Sequence, residues 1–310
     1  MMNNKNMPNP MLCDPVTGIC ELPGTAAAAT AGTLPAHEKP VRIIYFTDPI
    51  CSTCWGVEPQ LRKLQLEYGH LIEIEYHMGG LLPSWDIYNS GGISQPSDVA
   101  HHWDEVGAHY QMPIDGDVWL EDPLPSSFPP SIAFKAAALQ DNKKALRFLR
   151  RIKEMVFLEK KNITKWEHLS MAAQQAGLDI TQFKKDYEGD AVQRFQDDLD
   201  LGKKLGVRGF PTLFFSNKQD TQITVYGFRP YAQFEQAVLK LYPAAIPQPV
   251  TPTLETLFGY YPTLTTTEFA VLSNKTVMEA NSLLEAAHQQ GTLSKYLSKN
   301  GPLWAIHTHI

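Results

Sequence analysis

The sequence predicts an α/β protein in which a β-α-β unit and a later β-β-α unit flank a long helical insert, with a small module at the C-terminal end. Three observations predict it. VRIIYFT at 41–47 is a β-branched and aromatic run suited to a buried central strand, and LIEIEYHM at 71–78 alternates apolar and polar residues as a second strand should. Helical spacing of apolar residues recurs at 100–110, 130–139, 143–158, 165–176, 181–188 and 191–205. TLFFS at 212–216 and TQITVY at 221–226 then flank Asn217-Lys218-Gln219-Asp220, a hairpin pattern, before an amphipathic helix at 231–241.

The elements follow in order. At 310 residues the chain can bury a large core. Residues 1–40 read as a flexible segment, Asn- and Pro-rich at 1–9 and Ala/Thr/Gly-rich at 23–35. The short apolar stretch at 26–31 follows Pro23 and Gly24 and is too brief for a secretory signal, so a cytoplasmic protein is expected. The first helix spans 52–68 and stops at Gly69, with Pro59 inside it. Proline lacks the N–H that would reach the carbonyl of Trp55, which predicts a kink just after the cysteines. The β-α-β unit is expected to be parallel and right-handed. Residues 79–98 read as loop, and the helical insert covers about 83–205. Pro-rich 243–252 is a linker, leaving 253–310 as a separate module. There Thr265 and Glu268 have capping-box spacing, a helix covers 275–290, and Asn300-Gly301 sits between two short strand-like runs. Helices followed by a hairpin suggest a winged-helix-like unit.

Charge limits the partners. The formal net charge is −6, and residues 253–310 carry three Lys against four Glu, without the basic stripe that DNA contact requires. Neither nucleic acid nor a membrane is expected as a partner, and no run approaches the ~18 apolar residues of a membrane span.

Chemistry concentrates at Asp48-Pro49-Ile50-Cys51-Ser52-Thr53-Cys54-Trp55, where a strand ends and a helix begins. A helix start offers unpaired N–H groups and the positive end of the helix dipole, which favour a thiolate. A second cysteine three residues on sits one turn away and can close a disulfide. Strand, Cys-x-x-Cys and helix together read as a thioredoxin-like redox site. Zinc is the competing reading, with Cys13 and Cys20 as the second ligand pair; six residues separate those two, wider than a usual zinc knuckle. No metal and no cofactor is therefore expected. Cys13 and Cys20 flank the turn-prone Asp14-Pro15-Val16-Thr17-Gly18 and are candidates for an accessory redox pair or for two ordinary thiols.

Val207-Arg208-Gly209-Phe210-Pro211-Thr212 places a proline at the entrance of the third strand. In a thioredoxin fold this loop packs beside the Cys-x-x-Cys helix start. A cis Pro211 is expected there, exposing the Phe210 backbone for strand-like pairing with a substrate peptide.

DPICSTCWGVEP, MGGLLPSW at 78–85, the helical insert and VRGFPT together make 41–242 resemble the DsbA-like thioredoxin superfamily, most closely its cytoplasmic FrnE-type branch. The resemblance implies a thioredoxin fold with an inserted α-helical domain, plus the winged-helix-like module. It implies a dithiol–disulfide oxidoreductase acting on protein or small thiol substrates, with Cys51 attacking, Cys54 resolving, and Phe210, Pro211 and Trp55 on the substrate side. The related SpxH (YjbH) adaptors, which deliver a partner to a AAA+ protease, share the layout of a DsbA-like domain followed by a winged-helix-like module. The alternative is thus an adaptor, with a protein partner at the C-terminal module. Trp85, Trp103 and Trp119 are either part of such a docking surface or core packing. Glu58 lies one turn after Cys54 and either influences the thiols or packs structurally. His101 and His102 point apart on a helix, and His307 and His309 lie at the chain's end.

Overall fold

A computed structural model describes residues 13–14, 19–21, 39–88 and 94–307; the tail stretches 1–9 and 23–35 and His309 lie outside these residues. The chain runs β1 (Cys13–Asp14), β2 (Ile19–Glu21), β3 (Val41–Thr47), α1 (Ser52–Gly56), α2 (Glu58–Tyr68) and β4 (Ile72–Met78). The insert follows as α3 (Pro96–Tyr110), α4 (Val118–Glu121), α5 (Phe128–Gln140), α6 (Asn142–Leu158), α7 (Trp166–Gln175), α8 (Ile180–Tyr187) and α9 (Asp190–Leu205). Then come β5 (Gly209–Phe210), β6 (Thr212–Asn217), β7 (Gln222–Tyr226) and α10 (Tyr231–Leu241). The C-terminal elements are α11 (Leu254–Tyr260), β8 (Thr263–Thr265), α12 (Thr266–Ser273), α13 (Val277–Gln289), β9 (Leu293–Ser298) and β10 (Gly301–Ile306).

Every residue of β3 is buried, as its apolar run requires, and it occupies an inner position of a four-stranded sheet ordered β4-β3-β6-β7. β3 pairs parallel with β4 and antiparallel with β6, and Thr212 stands opposite Phe46. One face of the sheet packs on α2 and α10 through Val57, Leu61, Leu64, Phe234 and Val238. The other face joins the helical insert in a larger core that includes Phe46, Trp55, Trp103, Phe148 and Phe157. The expected kink takes the form of a break at Val57, because Pro59 at the start of α2 cannot donate backward.

Two regions differ from the sequence reading. The segment expected to be wholly flexible before residue 40 contains β1 and β2, paired antiparallel with Cys13 opposite Cys20. β2 also pairs with β5, placing Cys20 opposite Phe210. The short α4, α11, β5 and β8 carried no periodic signal, because elements of two to seven residues are too brief to show one. In the C-terminal unit, β8, β10 and β9 form a separate sheet against α12 and α13, with Trp304, Leu284 and Phe269 at its core. Among the described residues no helix is long and apolar enough to cross a membrane.

Candidate functional site

The antiparallel register of β3 and β6 brings the end of one strand and the start of the other to the same end of the sheet. The Cys51–Cys54 turn and the Phe210–Pro211 turn therefore emerge together, and all of Cys51, Cys54 and Phe210 join one buried cluster. The Phe210–Pro211 peptide bond is cis. The tip of the Phe210 ring abuts Gly79, where a methyl group would sit 1.8 Å from Cζ, so a side chain there would force the ring to move.

Cys51 is the N-cap of α1, and its Sγ accepts the Cys54 N–H at 3.1 Å. The preceding turn is fastened by Asp48. One carboxylate oxygen accepts the Ile50 N–H at 3.1 Å; the other accepts the Leu81 N–H at 2.7 Å and the Ser127 hydroxyl at 2.9 Å. The loop after β4 and the start of α5 are thus tied to the residues before Cys51.

Neither Cys51 nor Cys54 is in a disulfide, and both are fully buried. This corrects the expectation of an ionised, reachable Cys51. Burial, the hydrogen bond to Cys54 and its charge push the Cys51 thiol well above its ordinary value. Burial also opposes ionisation of Cys54, yet the hydrogen bond from Cys51 and the charge of Lys153 outweigh it and hold that thiol below its ordinary value. The helix-start argument is local, whereas the desolvation comes from elements distant in sequence.

Trp55 is the second correction: it is fully buried and unavailable to a substrate. Its Nε1 donates to the Pro113 carbonyl at 3.0 Å, its ring stacks on Phe157 at 5.4 Å, and the Arg150 guanidinium lies 4.4 Å from the ring centre. The aromatic contacts continue from Phe157 to Trp103, Trp119 and Trp85, so these tryptophans are packing residues. Cys13 and Cys20 reach the site through backbone pairing, with Cys20 opposite Phe210.

Lys153 is the residue that sequence reasoning missed. It is fully buried on α6, and its Nζ donates to Glu58 Oε1 at 2.7 Å. Burial alone would raise the Glu58 carboxyl, but Lys153, Arg62 and Arg150 hold it below its ordinary value. The available signal was helical spacing: Leu149, Ile152 and Val156 put Lys153 on the apolar face of α6.

Asp48 yields a pH prediction. Burial raises its carboxyl from 3.8 to about 6, against the hydrogen bonds from Leu81, Ile50 and Ser127. A carboxyl whose folded pKa is raised contributes stability below the unfolded value and loses it as pH rises through the folded one. The shift corresponds to ~3 kcal/mol lost between about pH 4 and pH 7. Urea unfolding at pH 4.5 and 7.5 is expected to show about 2 kcal/mol of that loss in the wild type and none of it in Asp48→Asn. Equal pH slopes in the two proteins would refute it.

The thioredoxin family profile matches residues 45–236. The ClpXP adapter protein SpxH of Halalkalibacterium halodurans is 34% identical over 98% of this chain and 99% of that one. The chain belongs to the DsbA-like thioredoxin superfamily, in the branch of the SpxH proteins. SpxH of Bacillus subtilis is 30% identical over 86% of this chain and 89% of its own. The cytosolic disulfide reductase DsbM of Pseudomonas aeruginosa, 23% identical, superposes with a TM-score of 0.53 over 64% of this chain and 99% of its own. The mixed α/β thioredoxin-like fold is thereby established, and the matched residues include Cys51 and Cys54.

Proposed function

We propose that this chain is a protein-binding adaptor of the SpxH type, which uses a thioredoxin scaffold to present a partner to the ClpXP protease. The observation that carries the reading is whole-length similarity to proteins of that name, spanning the C-terminal elements beyond residue 242 as well as the thioredoxin part. Burial of both thiols supports it, since a docking scaffold does not need a reachable thiolate. In this reading residues 253–310 form a winged-helix-like protein-contact module and the protein acts in the cytoplasm. With purified ClpXP and a candidate partner, adding the chain is expected to accelerate degradation at least tenfold. The Cys51→Ser/Cys54→Ser double variant is expected to stay within twofold of wild type. A folded double variant that no longer accelerates degradation would reject a thiol-independent adaptor.

One arrangement favours a second reading, a dithiol–disulfide oxidoreductase: the Cys-x-x-Cys at a helix N-cap beside the Phe210–Pro211 turn. Cys51 thiolate would attack a substrate disulfide, forming a mixed disulfide and releasing one substrate thiolate, which takes a proton. Cys54 would then attack Cys51 Sγ, closing the Cys51–Cys54 disulfide and releasing the second substrate thiol. The strand pairing of β2 with β5 occupies the backbone edge at Phe210, so this reaction requires β2 to leave. Insulin reduction that survives Cys51→Ser would exclude this reading.

A further inference from the structure

β4 is an edge strand, paired on one side only. Its inner side is defined at both ends, where the Leu71 carbonyl accepts from Val41 and the Gly79 N–H donates to Thr47. In a parallel ladder the N–H and C=O of one residue point the same way and alternate along the strand, so residues 72, 74, 76 and 78 direct theirs outward. The two outer positions are plugged by side chains: Lys39 Nζ donates to the Ile72 carbonyl at 2.9 Å, and the Met78 N–H donates to Asp198 at 2.8 Å. Among the described residues, nothing meets the outward backbone groups of Ile74 and Tyr76. Edge strands left open in this way template the addition of another strand.

These two residues also lie where two cavities meet. One, of about 600 Å³, lies among α2, β4, α6 and residues 260–263; the other, of about 420 Å³, lies among β4, α5 and α9. Ile74, Tyr76 and the half-exposed Leu146 line both. Lys and Arg number seven along the two linings against four Glu, in a chain whose net charge is −6. Much of that charge is internally matched, as where Lys135 pairs with Asp198 at 2.7 Å. Arg147 in the larger cavity is the exception: exposed, it spends one N–H on the Ala176 carbonyl at 3.3 Å and, though its charge is felt by Asp141, closes no ion pair among the described residues. Arg194, exposed in the smaller cavity, likewise meets none.

We propose that the outer edge of β4 is a docking site for an extended, acidic segment of a partner protein, added to the sheet as a further strand with its carboxylates toward Arg147 and Arg194. The main-chain bonds at Ile74 and Tyr76 supply register, Leu146 supplies an apolar contact, and the two arginines select charge. The assignment rests on the adaptor reading for the identity of the partner only.

The test uses the full chain, without ClpXP, and a fluorescein-labelled octapeptide alternating valine and glutamate. It is expected to bind at least tenfold tighter than its valine–lysine counterpart. It should also bind at least tenfold tighter than an acidic octapeptide with proline at each valine, which keeps the charge and cannot pair as a strand. Charge reversal at the exposed positions, Arg147→Glu/Arg194→Glu, is expected to cost at least tenfold. Amide exchange reads the register directly: Ile74 and Tyr76 should gain at least tenfold protection, while Glu75, already bonded to β3, should not change. No binding, equal binding of the proline peptide, indifference to charge reversal, or protection that does not alternate would each overturn the proposal. ClpXP stimulation, measured separately, would stand or fall independently.

Discussion

Replacing Glu268 with alanine is expected to destabilise the folded chain by about 3–5 kcal/mol, because it strips a fully buried carboxylate from two arginines. Arg150 of α6 donates to both of its oxygens, at 2.8 and 3.0 Å, and Arg62 of α2 lies 3.2 Å away. The same carboxylate closes the capping box at the start of α12, accepting the Thr265 N–H at 2.7 Å while Thr265 Oγ1 accepts the Glu268 N–H at 3.1 Å. One side chain thus ties the thioredoxin part, the helical insert and the C-terminal unit together. Arg150 retains Glu154 at 2.7 Å and Arg62 retains the Thr263 carbonyl at 2.8 Å, which keeps the cost within that range. Glu268→Gln preserves an acceptor for the cap and loses the charge, so it is expected to cost about 1.5–3 kcal/mol. Urea unfolding measures both values. A second readout locates the effect: amides of α12 and α13 should gain more in exchange rate in the alanine variant than those of β3 and β6. A loss below about 1 kcal/mol in Glu268→Ala would show that the buried pairs contribute no net stability.

Glu268 also illustrates what the chain's local pattern can reveal. Its capping-box spacing from Thr265 is a relation over three residues, and the helix start it marks is where the structure has it. Its ion pair with Arg150 spans 118 residues and leaves no periodic trace. The same division runs through the site. The strand–turn–helix around Cys51 and the break near Pro59 follow from residues within one or two turns. The burial that raises the Cys51 thiol comes from the insert and the loop after β4, which fold back from elsewhere in the chain. Trp55 departs from its expected place for that reason: the family resemblance implied the substrate side, whereas Phe157, Pro113 and Arg150 pack around it. In β4 the alternation of LIEIEYHM predicted a strand, and only the sheet order makes it an edge.

Lys153→Met is expected to change both stability and thiol chemistry. Methionine fills nearly the same space on the apolar face of α6, so packing is conserved and the charge is what is removed. Among the described residues Glu58 then keeps Arg62, 3.8 Å away, as its ion-pair partner, and its own side chain is largely shielded from water. Removing one member of a buried pair costs about 3–5 kcal/mol. The lower end, ~3 kcal/mol, is expected here because Arg62 and a partly open edge of Glu58 soften the loss. A double variant, Lys153→Met/Glu58→Gln, should recover most of it, since the uncompensated carboxylate is then gone. The thiols provide the independent readout. The Lys153 charge favours the ionised form of Cys54, so its removal must move the thiolate titration, followed by absorbance near 240 nm, to higher pH. In the double variant a negative charge leaves with the positive one, so stability returns while the titration reports the balance of the two. A single variant that loses stability with an unmoved thiolate curve would make Lys153 a partner of Glu58 alone. An unmoved curve and unchanged stability together would mean that its charge is already neutralised in the folded chain.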